Sequence, residues 1–216
     1  MGGQEWSEET SRVFAKYMET NVHHDHRPHA RRIAADWPEI PAGAVVADVA
    51  GGPAFLLLEM APLLREPRLI LTDSSPTMLK IARENAAARG VAIEARLCPA
   101  EKLDLPDASV DLVLCKHFLR LAPDLDAALR EMARILKPRG RAYLIDFNAE
   151  GPWLLSRLLH LWILLTAPRF LSSVFGQTLR ASLPASGIPA RCRASGFSSA
   201  EVVRSNVNFL VRASAG

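Results

Sequence analysis

Cysteine is scarce in this chain of 216 residues: Cys98, Cys115 and Cys192 lie far apart and form no CxxC pair. That spacing excludes a zinc knuckle and a disulfide framework, and it favours a reducing compartment. The opening stretch, MGGQEWSEETSRVF, lacks the basic start and apolar run of a secretory leader, so a cytoplasmic address is expected. No run of about 20 apolar residues is present to make a confident membrane span. Internal repeats and low-complexity tracts are also missing. With 49% hydrophobic and 23% charged residues, a chain of this size buries roughly 70% of its unfolded surface and needs neither disulfide nor structural metal. One domain is expected.

Acid is nearly absent from the last third. Residues 151–216 hold seven arginines against the single acid Glu201, although the whole chain has a net charge of only +3. The same stretch opens with the most apolar run of the chain, PWLLSRLLHLWILLTAP, interrupted by Arg157 and His160. Such a segment suits a soluble core or cap helix, a membrane-surface helix, a wall for a lipophilic or anionic substrate, or an interface in a homodimer. The arginines are scattered with no RNA-binding motif beside them, so no nucleic acid is expected as partner.

From Ala44 onward, short apolar runs suited to buried strands alternate with longer runs of helical spacing. The predicted strands are Ala44–Val49, Arg68–Asp73, Val91–Leu97, Val110–Cys115 and Arg141–Phe147. Between them, helices are predicted over Phe55–Leu64, from Ser75 to near Gly90, and over Asp126–Leu136. Ser75 as N-cap followed by Pro76 is a helix start signal. Strict alternation of this kind implies a parallel sheet covered by helices on both faces. Ligands of such sheets bind at the carboxyl ends of the strands, where the strand order reverses.

After the first strand come Asp48, Val49, Ala50, Gly51, Gly52, Pro53 and Ala54. Small residues there permit a tight turn with backbone close to a ligand, and the next helix aims its N-terminus at it. The second strand ends in Asp73, where a carboxylate can accept both hydroxyls of a ribose. A plain helix-capping role is the alternative for Asp73, and Asp48 is expected to bond within the turn.

In order, VVADVAGGPA, LILTDSSPTML, CPAEKLDLPDASVDLVLCKHFL and EMARILKPRGRAYLIDF resemble the motifs of class I S-adenosylmethionine-dependent methyltransferases of the small-molecule type. The resemblance runs from Ala44 to Phe147, with SGFSSAEVVRSN and VNFLVRASA resembling the family's C-terminal pair. It implies an α/β, Rossmann-like three-layer sandwich: a seven-stranded, mostly parallel sheet with an antiparallel last strand. It further implies a single domain with an N-terminal helical lid (1–42), a cofactor-binding core (43–150), a helical cap between strands 5 and 6 (151–186) and a C-terminal helix and strand pair (187–216). The implied cofactor is S-adenosylmethionine, with Tyr17, Asp48, Ala50, Gly51, Gly52, Asp73, Ser74, Met78, Ala100, Glu101 and Lys116 as its candidate contacts. Lys116 is expected to contribute through its backbone.

The pattern departs from the family at three places. Ala50 and Ala54 stand where glycine is usual, which a negative φ would accommodate. Pro99 replaces the acid that often binds the adenine amine, leaving Ala100, Glu101 and Met78 for that task. Lys116, His117 and Phe118 stand where an NPPY-like sequence would mark a DNA-base amino methyltransferase, which argues against that class. A nicotinamide dinucleotide is the competing cofactor, but GGPAF lacks the GxGxxG order.

Methyl transfer needs near-attack geometry, exclusion of water and, for a phenol, thiol or acidic carbon, a general base. Four of the six histidines fall in NVHHDHRPHARRIA; Pro28 there suggests a helix start, placing His24 and His26 on the loop before it. His24, His26 and His117 are the candidate catalytic residues. The alternatives are a metal held by the histidines with Asp25, for which no defined spacing signature exists, and solvated lid or backbone-bonded core histidines. In the cap, Trp153, Leu158, Trp162, Leu165, Phe170 and Phe175 suggest an apolar wall, with Trp153 and Trp162 as candidate substrate contacts. The reading is a methyltransferase acting on a small aromatic or lipophilic acceptor. A non-catalytic methyltransferase-like domain that binds a partner or membrane through its cap is the alternative.

Overall fold

The computed structural model describes residues 7–20, 25–167 and 181–216. His24, Phe170 and Phe175 lie outside these described residues. Two helices, α1 (Glu8–Thr20) and α2 (His26–Asp36), precede an alternating core. The core comprises β1 (Val45–Val49), α3 (Phe55–Met60), β2 (Arg68–Asp73), α4 (Pro76–Ala88), β3 (Glu94–Leu97), β4 (Val110–Lys116), α5 (Leu125–Ile135) and β5 (Leu136–Phe147). After it come α6 (Trp153–Thr166), α7 (Ile188–Ala194), β6 (Ser199–Ser205) and β7 (Asn208–Ser214).

All seven strands form one sheet in the order β3-β2-β1-β4-β5-β7-β6. Strands β1 to β5 pair in parallel, and β7 runs antiparallel to both β5 and β6. The expected fold class is therefore present. Strand order reverses between β1 and β4, so the residues following these two strands sit at the crevice where such sheets bind ligands.

Side chains alternate across the sheet with a period of two. On one face Ala47, Val49, Val113, Cys115 and Leu144 pack with α5 and α7. On the other, Val46, Leu112, Leu114, Tyr143 and Ile145 pack with α2, α3 and α4. Both faces are covered, which explains why β1, β2 and β4 read as nearly continuous apolar runs.

Apart from one-residue shifts in β1, β4 and α5, four boundaries differ from the sequence expectation. The helix after β1 ends at Met60 and tightens into a 3-10 turn over Ala61–Leu63, because Pro62 has no N–H to donate. Strand β3 starts at Glu94 rather than Val91, since the Val91 N–H is taken by the Ala86 carbonyl at the end of α4. In β5, Leu136 already pairs with Val110, and the register shifts before Arg141 meets Leu112; the expected turn at Lys137–Gly140 survives as a bulge within a longer strand, with Arg139 at φ 65°. Helix α2 begins at His26, placing Pro28 inside its first turn, where a missing N–H costs nothing.

Candidate active site

The loop leaving β1 is clasped from β2. Gly51 N donates to Thr72 O at 3.1 Å, and Gly52 N donates to Asp73 Oδ2 at 2.9 Å. Gly51 cannot be replaced without a shift: an added Cβ would meet Asp48 Oδ2 at 2.7 Å and collide with Leu71. Gly52, at φ +52°, faces open space. Contrary to the sequence expectation, Ala50 and Ala54 both adopt positive φ, 53° and 68°. The clasp imposes this conformation on residues whose Cβ opposes it, at about 1–2 kcal/mol each. Ala50→Gly, where the methyl is only partly buried, is expected to raise stability by about 0.5–1 kcal/mol after the greater chain entropy of glycine is subtracted, readable as a rise in thermal midpoint of about 2 °C.

Asp73 serves both ends of the crevice. Its Oδ1 accepts from Ser75 N at 2.8 Å, while Ser75 Oγ caps α4 by accepting from Met78 N at 3.2 Å. The capping alternative and the loop tether are thus both present, and each carboxylate oxygen keeps a further lone pair for a ligand. Burial raises the Asp73 carboxyl above its ordinary value, opposed by the N–H groups of Ser75, Gly52 and Ser74. Met78 is buried with Ala15 and Ile81, which brings α1 onto α4 beside Asp73. Ala100 is buried, and Glu101 Oε1 reaches Asp124 N at 3.5 Å at the start of α5.

The residues fit S-adenosylmethionine. Asp48 Oδ1 is buried against the glycine loop with no hydrogen-bond partner among the described residues, and an ammonium is the kind of donor it lacks. Burial, with the nearby Asp73 charge, pushes the Asp48 carboxyl up to about 7. An incoming cation would return it to the charged form.

At the carboxyl end of β4 the structure gathers a cluster that the sequence reading saw only in part. Lys116 was expected to act through its backbone, but its ammonium is hydrogen-bonded to Asp25 at the start of α2. His117 Nε2 lies 3.5 Å from Asp25 Oδ2, and His117 Nδ1 lies 3.7 Å from Asp146 Oδ1. Its ring stacks on Phe147 with centroids 4.6 Å apart, and its backbone is left-handed at φ 62°. Asp146, fully buried, also holds the Arg120 guanidinium and accepts from Arg120 N at 3.1 Å. His26 packs against Phe55 with Nε2 3.7 Å from Asp25 Oδ2. His29 Nδ1 meets the Asp25 carbonyl at 2.6 Å. Lys116 already satisfies Asp25, so the carboxylate that a metal would need is engaged by an ammonium.

Charge in this cluster is strongly directed. Burial would raise the Asp25 carboxyl, but Lys116 and His117 overcome it and hold it well below the ordinary range. Burial and the Lys116 ammonium push His26 well below its usual value and His29 down to about 4. The unfolded chain therefore binds a proton at His29 that the folded chain refuses between about pH 6.5 and pH 4, and His26 acts in the same direction. The His29 contribution is complete above pH 6.5 and is lost as pH falls through that window. For His29 the loss is on the order of 3 kcal/mol. His29→Gln is expected to flatten the dependence of thermal midpoint on pH between 7 and 4.5; an unchanged slope would contradict this assignment.

Further out, α1 meets α6. Tyr17 Oη and Thr166 Oγ1 share a hydrogen bond of 3.1 Å, and the Tyr17 ring lies 6.4 Å from that of Trp162. Tyr17 thus joins α1 to α6. Trp153 stands away from them, 69% exposed beneath the Arg157 guanidinium.

Asp146, Arg120 and Phe147 are the site residues that sequence reasoning missed, and Asp25 was read only as a possible metal ligand, not as the partner of Lys116. Asp146 had a readable signal: it is the one acid in the otherwise apolar end of β5, RAYLIDF, and an acid buried there needs partners. Asp25 and Lys116 are 91 positions apart, and no local pattern joins them.

A family profile for "Methyltransferase domain" matches residues 47–144, from β1 into β5. The chain is similar to the ubiquinone/menaquinone biosynthesis C-methyltransferase UbiE of Pseudomonas putida, 35% identical over 130 residues covering 59% of this chain and 51% of that protein. The chain therefore spans about half the length of the curated relatives it matches. Among solved structures, a Methanococcus maripaludis protein named as an S-adenosyl-L-methionine-dependent methyltransferase superposes with TM-score 0.79 at 18% identity, over 100% of this chain and 97% of that one. A methyltransferase from Aquifex aeolicus gives 0.68 at 18% identity, over 87% and 89%. At these identities the structures speak for the fold, while the profile and the curated relatives speak for the core. Residues 47–144 thus match a methyltransferase domain, and the chain as a whole has the fold of the solved methyltransferases.

Proposed function

We propose that this protein transfers a methyl group to a ring carbon of a small, lipophilic acceptor of the hydroquinone type. The observation that carries the reading is His117, placed between Asp25 and Asp146 at the carboxyl end of β4. The curated relatives, named for carbon methylation in quinone biosynthesis, support the acceptor class, and the apolar α6 suits a hydrophobic tail.

S-adenosylmethionine, when bound, supplies a methyl group already activated on a sulfonium. The glycine loop and Asp73 would hold it, and Asp48 would receive its ammonium. A hydroquinone ring becomes nucleophilic at carbon as its hydroxyl proton departs. His117 takes that proton. Methyl transfer to that carbon would leave a ketone form of the ring; the carbon would then give its proton to water as the His117 imidazolium returns its own to the ring oxygen, which restores the aromatic hydroquinone with one proton released overall. Asp25 and Asp146 stabilise the resulting imidazolium and fix the ring, which Phe147 holds from one side. His26 and His29, kept neutral at pH 7, add no charge against it.

Trideuteromethyl-labelled cofactor tests the reading against a panel containing a prenylated hydroquinone, the same ring without its tail, a catechol and a hydrophilic amine. Label on ring carbon is expected, with the prenylated acceptor preferred by roughly tenfold or more in kcat/KM. Label on oxygen or nitrogen alone, or preference for the hydrophilic amine, would overturn it.

A further inference from the structure

Helix α6 turns a large part of its apolar surface outward. Ile163 is buried, but on the opposite side Leu165 is 76% exposed and Leu154, Leu158 and Leu161 are each more than half exposed, and Trp153 at the helix start is 69% exposed. A surface helix ordinarily presents the reverse pattern, and a contiguous apolar face of this kind marks an interaction surface. The helix carries one charged side chain, Arg157, whose guanidinium lies 5.6 Å from the centre of the Trp153 ring. No carboxylate side chain occurs between Gly151 and Ala200; farther on, Arg191 is paired with Asp126 and Arg212 with Asp36 and Glu201, so Arg157 is the cation that α6 itself offers.

We propose that this face of α6 lies in the surface of an anionic lipid bilayer. Fourteen residues make a helix about 21 Å long, shorter than the roughly 30 Å hydrocarbon layer, and among the described residues no helix is long and apolar enough to cross a membrane. The helix therefore lies along the surface. Leucines enter the acyl boundary, Trp153 sits at headgroup depth, and Arg157 meets lipid phosphate. Charge favours this occupant over a second copy of the chain. Two α6 faces paired about a twofold axis would bring their arginines together, with no acid on either helix to receive them. An anionic surface supplies the missing counter-charge, worth about 1 kcal/mol per basic residue near it. Docking would also place α1, joined to α6 through Tyr17 and Thr166, on the lipid side of the cofactor crevice.

This inference goes beyond the proposed reaction and is read without any methyl transfer. The full chain is co-sedimented with phosphatidylcholine vesicles with and without phosphatidylglycerol, beside Arg157→Glu and the triple variant Leu154→Ser/Leu158→Ser/Leu165→Ser. Their thermal midpoints and light-scattering masses are measured in parallel. The wild type is expected to partition roughly tenfold more strongly to the anionic vesicles. The triple variant should lose at least roughly tenfold of that binding with its thermal midpoint unchanged, and Arg157→Glu should lose the preference for anionic lipid. Equal binding to both vesicles, or full binding by the triple variant, would overturn the proposal. So would a dimer that the triple variant converts to monomer while the wild type ignores vesicles.

Discussion

Replacing His117 by alanine is expected to lower turnover by roughly 10²–10⁴-fold while leaving the dissociation constant for S-adenosylmethionine within about twofold. The imidazole lies between Asp25 and Asp146, at 3.5 and 3.7 Å, and is stacked on Phe147. None of its contacts is to the glycine loop or to Asp73, so loss of the base should leave cofactor binding alone. Asp146 is a positioning residue, acting through the imidazole. Asp146→Asn should therefore displace the pH profile of kcat, an effect that a merely structural role would not produce. Retention of full turnover by His117→Ala, at unchanged stability, would remove the histidine from the mechanism.

Asp73→Ala should weaken S-adenosylmethionine binding by about 100-fold or more. The carboxylate accepts from Gly52 N and Ser75 N, at 2.9 and 2.8 Å, and hydrogen bonds to a charged acceptor contribute about 1.5–3 kcal/mol each. Alanine removes the tether of the glycine loop and the acceptor for a ribose together. Asp73→Asn keeps the shape but exchanges acceptor capacity for donors, and it should fall between the two. The Ser75 cap and the Gly51–Thr72 hydrogen bond remain in both variants, so α4 stays in place and the loss is read as affinity. Unchanged affinity in Asp73→Ala would contradict the assignment of the crevice.

The core was legible because its pattern changes period, from two in the strands to 3.6 in the helices. Ser75 and Pro76 marked the start of α4 to the residue. The acid ending β2 was readable for the same reason, since its place depends on strand length alone. The sign of φ at Ala50 and Ala54 was not readable. It goes with the hydrogen bonds of the turn, from Gly51 N and Gly52 N to β2 and from Ala54 N to Gly51 O, against the preference of alanine itself. The Lys116–Asp25 pair was hidden by distance along the chain, and the sequence showed only clustered histidines. In α6 the difficulty was of another kind. A helix that is apolar on nearly every side has no periodicity to tell which face is packed, and only the structure shows that Trp153 and Leu165 point outward.

Calorimetric titration of the full chain with S-adenosylmethionine, its demethylated product and NAD tests the central claim most directly. The account predicts saturable binding of both sulfur ligands and none of NAD. Saturation by NAD, or failure of both sulfur ligands to bind a folded protein, would contradict it.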